Sequence, residues 1–352
     1  MKFEIKTVTI LMYAALALAL GSCTKKTITP AEDPQPAEVG FTASSQAVWV
    51  KGETDPKTTF PYTNFGVWGI ARHQHVESPY ILWSTNQLTE VSAPEGTSTN
   101  QETSNVVFTP ATAAYWLGGY EYSFLAIAPC EDSGFILMGI TQASGSNTSD
   151  SMSFTYDMSS KYENPNTYTF DLLGGAAKTD GPVAGGRTSE QELTFWHLLS
   201  QININVSFGT DFTGADINGE VTGIRIGNVV SKAGYTISHN TNNSLNVACR
   251  PSAEANFKKS LAFSASPAIM NIIPQNVKSM DLYLDFTINK GLDDEASYRD
   301  LKINLNIPAN DADYEPNGRY NWNITIGTGA SITFNVTVTG WDSIGDIPEI
   351  EM

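Results

Sequence analysis

Short runs in which apolar and polar residues strictly alternate dominate this chain. In Leu282–Ile288 the residues Leu282, Leu284, Phe286 and Ile288 are apolar, and Tyr283, Asp285 and Thr287 lie between them. The same pattern recurs in Leu301–Ile307, Tyr320–Ile326, Ile332–Val338 and Ile202–Phe208. Successive side chains of a strand point to opposite faces, so each run predicts a half-buried antiparallel strand with one face to a core and one to water. Beyond the first 22 residues no stretch has helical periodicity. Gly, Asn, Asp and Pro separate the runs, and many short strands between such turns predict antiparallel β-sandwiches.

The N-terminal half carries its own set of predicted strands, at Val39–Ala43, Ala47–Val50, Phe65–Ala71, Tyr80–Ser84, Val106–Thr109, Tyr120–Ala128, Phe135–Ile140 and Met152–Tyr156. At 352 residues the chain is long enough for two domains. The stretch Gly174–Gly186 has the composition of a linker or a long loop. The expected division is therefore a domain over 38–178 and a second over 188–352.

The first residues have a different character. Lys2 and Lys6 precede an apolar run from Val8 to Leu20 that is too short to span a bilayer, and Leu20-Gly21-Ser22-Cys23 follows. The tetrad resembles a lipobox, which implies a lipoprotein signal peptide over 1–22 and lipidation at Cys23. Acyl chains contribute about 0.8 kcal/mol per buried methylene, so a multiply acylated cysteine is a firm membrane anchor. Residues 23–37 are polar and proline-rich, as in a tether.

The net charge of −17 and the absence of Lys and Arg from His73 to Ser160 argue against nucleic acid as a partner. Cys130 and Cys249 lack CxxC spacing and read as small packed residues rather than a bridge. His73 and His75 would share a strand face, yet no further metal ligands accompany them. Asp311–Gly318 has alternate oxygen side chains but reads as a turn, because the Gly and closing acid of an EF-hand are missing. His197 reads as a packed structural histidine at the start of a strand. No nucleophile elbow or catalytic pattern is present, so neither an enzyme nor a cofactor is expected.

Four segments resemble the fimbrillin family, subunits of type V pili. They are Lys57-Thr-Thr-Phe60 with Asn64–Ile70; Trp116 with Tyr120–Pro129; Leu193–Ile202; and Pro316–Tyr320 with Ile332–Trp341. The resemblance implies an all-β chain of two transthyretin-like antiparallel β-sandwich domains in tandem, exported as an outer-membrane lipoprotein at the cell surface. It further implies assembly with other fimbrial subunits by donor-strand exchange after proteolytic loss of the first strand, and contact with a host or bacterial surface ligand in adhesion.

On this sequence the removable strand lies within Glu38–Val50. The candidate donor strand carries Ile332, Phe334, Val336, Val338 and Trp341. The family's maturation site is an Arg, whereas the first Arg here is Arg72, beyond the strand at Phe65. Lys51 and Lys57 are the basic residues in the right loop and hence the candidate cleavage positions. The alternative function is a glycan-binding surface lipoprotein using aromatics such as Trp83, Trp116 or Tyr162.

Overall fold

The computed structural model describes residues 36–45, 60–97, 106–144, 149–179, 190–209, 219–239, 245–289, 293, 295–305, 307, 312–327 and 331–340. Two of its strands, β2 (Asn64–His73) and β6 (Tyr120–Ala128), are nearly continuous apolar runs and are buried on both faces. They pair antiparallel from Gly66↔Ile127 to His73↔Tyr120. Phe65, Val67, Ala71, Phe124 and Ala126 point into one hydrophobic cluster. Trp68, Ile70, Leu125 and Ile127, on the opposite faces of the same strands, point into another.

The first cluster is enclosed by a ring of strands. From β2 the ladder passes through β4 (Thr89–Ser92), β5 (Val107–Pro110), β1 (Phe41–Ser45), β10 (Gln191–His197), β9 (Leu173–Lys178) and β6, which pairs back to β2. A short strand, β3 (Tyr80–Ile81), lies outside the ring on β2. Closure gives every strand of the ring a described partner on each side over part of its length, and its interior is aromatic: Phe41, Phe60, Phe65, Phe108, Phe124 and Phe195 are all buried there.

The second cluster is shared by three four-stranded sheets and the outer face of the ring. One sheet runs β16 (Ala268–Ile272), β11 (Ser200–Phe208), β19 (Gly318–Ile326), β20 (Ile332–Gly340). Another runs β15 (Lys258–Phe263), β12 (Glu220–Val230), β17 (Asp281–Ile288), β18 (Ala296–Ile303). The alternating apolar residues Ile202, Ile204, Trp322 and Ile324 of the first join Ile226, Leu282, Leu284 and Phe286 of the second in this core. The third sheet runs β14 (Leu245–Pro251), β13 (Lys232–His239), β8 (Ser151–Asp157), β7 (Phe135–Thr141) and adds Met152, Phe154, Tyr156, Tyr235 and Ile237. Only Ser231 separates β12 from β13, so one extended segment serves two sheets.

The all-β class expected from alternation is present, and the five clearest alternating runs all contribute strands. Three local expectations differ. Leu301–Ile307 contributes only its first residues, because β18 starts earlier and pairs Ala296, Ser297 and Tyr298 with the end of β17. Gly174–Lys178, with its linker composition, is most of β9. Its small residues are required, because a Cβ on Gly174 would stand 3.0 Å from Leu198 Cδ2. His197 closes β10 instead of opening a strand. Strand pairing also runs across the expected division near 178–188: β10 belongs to the ring, and β8 pairs with β13.

Candidate assembly site

The first described strand occupies an unusual position in the ring. Among the described residues β1 lies between β5 and β10, antiparallel to the first through Phe41↔Phe108 and Thr42↔Val107. To β10 it is parallel, through five pairs from Phe41↔Gln191 to Ser45↔Phe195. Parallel pairing is slightly less stable per residue than antiparallel pairing, so β1 is held less by its ladders than by its side chains.

Those side chains alternate. Val39, Phe41, Ala43 and Ser45 are buried, and Thr42 and Ser44 are partly exposed. The Phe41 ring packs against Phe124 at 5.1 Å, Phe65 at 6.0 Å and Trp83 at 6.4 Å between centroids. Burying Phe41 and Val39 contributes roughly 1.5–3 kcal/mol each. Main-chain bonds from Val39 N–H to Ala114 O (2.8 Å) and from Trp116 N–H to Ala37 O (2.9 Å) fix the approach to the strand. Taking β1 away would uncover the Phe65, Trp83 and Phe124 rings on which Phe41 packs and leave the facing edges of β5 and β10 unpaired. An extended segment of another chain can satisfy both needs.

The other predicted elements are distributed as follows. Ile332, Phe334, Val336 and Val338 alternate on β20, an edge strand that pairs with β19 through nine residues. Ile332, Phe334 and Val336 are half-buried against the chain's own core, with Phe334 at 5.8 Å from the Trp322 ring, and Val338 is 38 % exposed. The candidate donor is therefore folded on its own chain. Cys23, Lys51, Lys57 and Trp341 lie outside the described residues.

The aromatics nominated for glycan contact do not form a surface. Trp116 is 1 % exposed and Tyr162 4 %, while Trp83 donates its indole N–H to Thr112 O and leans on Phe41. His73 Nδ1 accepts the His75 backbone N–H at 3.2 Å, which occupies one of its two ring nitrogens. Among the described residues no three His, Cys, Asp or Glu side chains converge as a metal site, and no helix is long and apolar enough to cross a membrane. His197 is fully buried with Nδ1 2.6 Å from Asp171 Oδ2, and Asp171 Oδ1 accepts the Leu172 N–H. That carboxylate fixes the ring at the end of β10.

Sequence reasoning missed one buried polar centre. Asp150, just ahead of β8, is gripped by Arg72 of β2, by Ser123 Oγ of β6 at 2.7 Å and by the Ala143 N–H at 2.9 Å. Burial alone would raise its carboxyl, yet these donors outweigh it and hold the group below the ordinary carboxylate range. The lone Arg72 beyond an apolar run was the available signal.

The model of the fimbrillin-like family matches residues 63–341. No curated protein matches the chain in sequence. Among solved structures, a fimbrial protein from Bacteroides vulgatus is similar at 15 % identity and a TM-score of 0.52, covering 86 % of this chain and 99 % of that one. A fimbrial assembly protein from Parabacteroides distasonis is 10 % identical with a TM-score of 0.41, over 87 % and 99 % of the two chains. At such identities the first likeness speaks to fold alone, and the second carries no further argument.

Proposed function

The chain belongs to the fimbrillin-like family, and from that membership we propose that it is a non-catalytic structural subunit of a cell-surface fimbrium, assembled with other subunits by strand exchange at the β1 position. The observation that carries this reading is β1 itself, a single strand that closes an aromatic ring through one parallel ladder and one two-residue antiparallel ladder. In this reading the chain is exported as a lipoprotein acylated at Cys23 and held at the outer membrane until it is cut at Lys51 or Lys57. The cut leaves β1 free to go.

The incoming strand must reproduce the inward pattern of β1, Val39-x-Phe41-x-Ala43-x-Ser45. The candidate donor carries Ile332-x-Phe334-x-Val336-x-Val338, an aliphatic residue followed by Phe at the same spacing. This likeness supports the C-terminal strand as donor. Because Ile332, Phe334 and Val336 are already half-buried at home, donation costs the subunit those contacts and needs a compensating gain in the ring. A head-to-tail contact between two different surfaces propagates as an open filament, which suits a fimbrial subunit supporting surface adhesion.

The test is to treat the full chain with a Lys-specific protease and follow its N-terminus and size. A new terminus at Gly52 or Thr58, with β1 lost and heat-labile polymers appearing, supports the reading. A chain that loses β1 and stays monomeric, or assembled fimbriae that keep β1 and an acylated Cys23, would overturn the shaft-subunit reading.

A further inference from the structure

The outer face of the sheet formed by β15, β12, β17 and β18, which does not contain β1, carries a cleft of about 750 Å³. Its floor includes Gly223, Arg225, Tyr283 and Asp285, and its wall includes Pro165, Asn166, Phe263 and Pro267. The size falls within the range of small-molecule sites.

Two irregularities in the ladder shape this floor. The β12–β17 register shifts between Val221 and Gly223, and the β17–β18 register shifts between Leu284 and Phe286. The second shift brackets Asp285, and the first lies beside it, next to the pair Gly223↔Asp285. Bulges re-aim side chains, and here they bring Asp285 and Asp300 side by side. Asp300 sits at φ 47° and its N–H donates to Asp285 Oδ1 at 2.6 Å. Asp300 Oδ1 accepts from Arg225 Nη2 at 2.7 Å, and the guanidinium lies 3.9 Å above the Tyr283 ring. Gly223 provides the space, since a Cβ there would meet Asp285 Oδ2 at 2.9 Å.

We propose that this cleft binds a neutral saccharide. The chemistry of the lining favours that class over others. A peptide strand would need free main-chain edges, but the floor lies on a sheet face whose backbone is committed to the β15–β12–β17–β18 ladder. A cation meets Arg225 next to both carboxylates, each of which already accepts a hydrogen bond. An anion meets Asp285 and Asp300 within a chain of net charge −17. A neutral polyol meets neither obstacle. Its hydroxyls can donate to the outer oxygens of Asp285 and Asp300, accept from Arg225, and exchange with Asn166 and Thr222. Its C–H faces can lie on Phe263, Pro165 and Pro267. The site is separate from the β1 position, so binding does not depend on assembly.

The experiment is saturation-transfer NMR and calorimetry on the full chain with lactose, maltose, cellobiose and N-acetyllactosamine, and with calcium chloride and sialic acid as charged comparators. At least one neutral disaccharide is expected to bind, and Asp285→Ala is expected to weaken it about tenfold or more. Gly223→Val, which displaces the Asp285 carboxylate, should act in the same direction. If Asp285→Ala does not fold, Asp285→Asn keeps the shape and should still weaken binding. The proposal is overturned if no neutral disaccharide binds at millimolar concentration, if binding survives these substitutions unchanged, or if calcium or sialic acid binds in preference.

Discussion

The ring of Phe41 on β1 meets that of Phe124 on β6 edge-on, with centroids 5.1 Å apart and planes at 89°. One side chain from the chain's first described strand is thereby keyed into β6, a strand buried on both faces. Phe41→Ala should destabilise the chain by about 3–5 kcal/mol, as large-to-small aromatic changes in closed cores do. Thr42→Ala, on the outward face, should stay within about 0.5 kcal/mol. Urea unfolding of the two variants checks both.

The half-buried Arg72 of the ring pairs with the buried carboxylate of Asp150, just ahead of β8. Arg72→Ala leaves a buried carboxylate short of its cation and should cost about 3–5 kcal/mol at neutral pH. The pH dependence follows from the direction of the Asp150 shift. Its folded value is depressed, so its stabilisation is complete above the unfolded carboxyl value of about 3.9 and is lost as pH falls through the folded value. The stability gap between wild type and Asp150→Asn should therefore shrink progressively below about pH 4. Unfolding midpoints measured across that range decide it.

His239 on β13 makes a 3.1 Å contact from Nε2 to Ala177 O on β9. Burial lowers its pKa, and the bond to Ala177 only partly offsets that. The unfolded chain thus takes up the proton first, so stability present above about pH 6.5 is lost as pH falls through the folded value. NMR titration should place the His239 midpoint below the ordinary histidine value of about 6.5. His239→Gln should flatten the stability profile over the same interval.

Cys130 and Cys249 are free thiols, and burial pushes them up to about 11 and about 12 respectively. Since the thiolate is the reactive form, neither should react measurably with Ellman's reagent at pH 8 in the folded chain. Both should react within minutes in guanidinium chloride. Rapid labelling mapped to Cys130 or Cys249 in the native chain would contradict the burial that raises them.

The strands that were legible in the sequence are those with one wet face. Leu282–Ile288 and Tyr320–Ile326 alternate because water lies on one side and a core on the other. β9 was hidden because Phe195 of β10 and Leu198 just beyond it press onto Gly175 and Gly174, which with Ala176 and Ala177 make a composition shared with linkers. The partners of β1 were not legible either. A parallel contact between Phe41–Ser45 and Gln191–Phe195 has no local signature, since it is set by closure of the ring. In the cleft, Asp285 is one of the outward polar residues of its alternating run, and only the register shifts bring Asp300 beside it.

The single residue between β12 and β13 has a mechanical consequence. Ser231 is pinned by its own N–H to Phe257 O at 2.8 Å and by Met158 N–H to its O at 2.6 Å. A pull along this segment cannot be taken up by slack, because none exists on either side of Ser231. The tension must shear the β12–β17 and β13–β8 ladders together, many hydrogen bonds at once. Displacement of either strand along its axis is therefore passed to the other through a single residue.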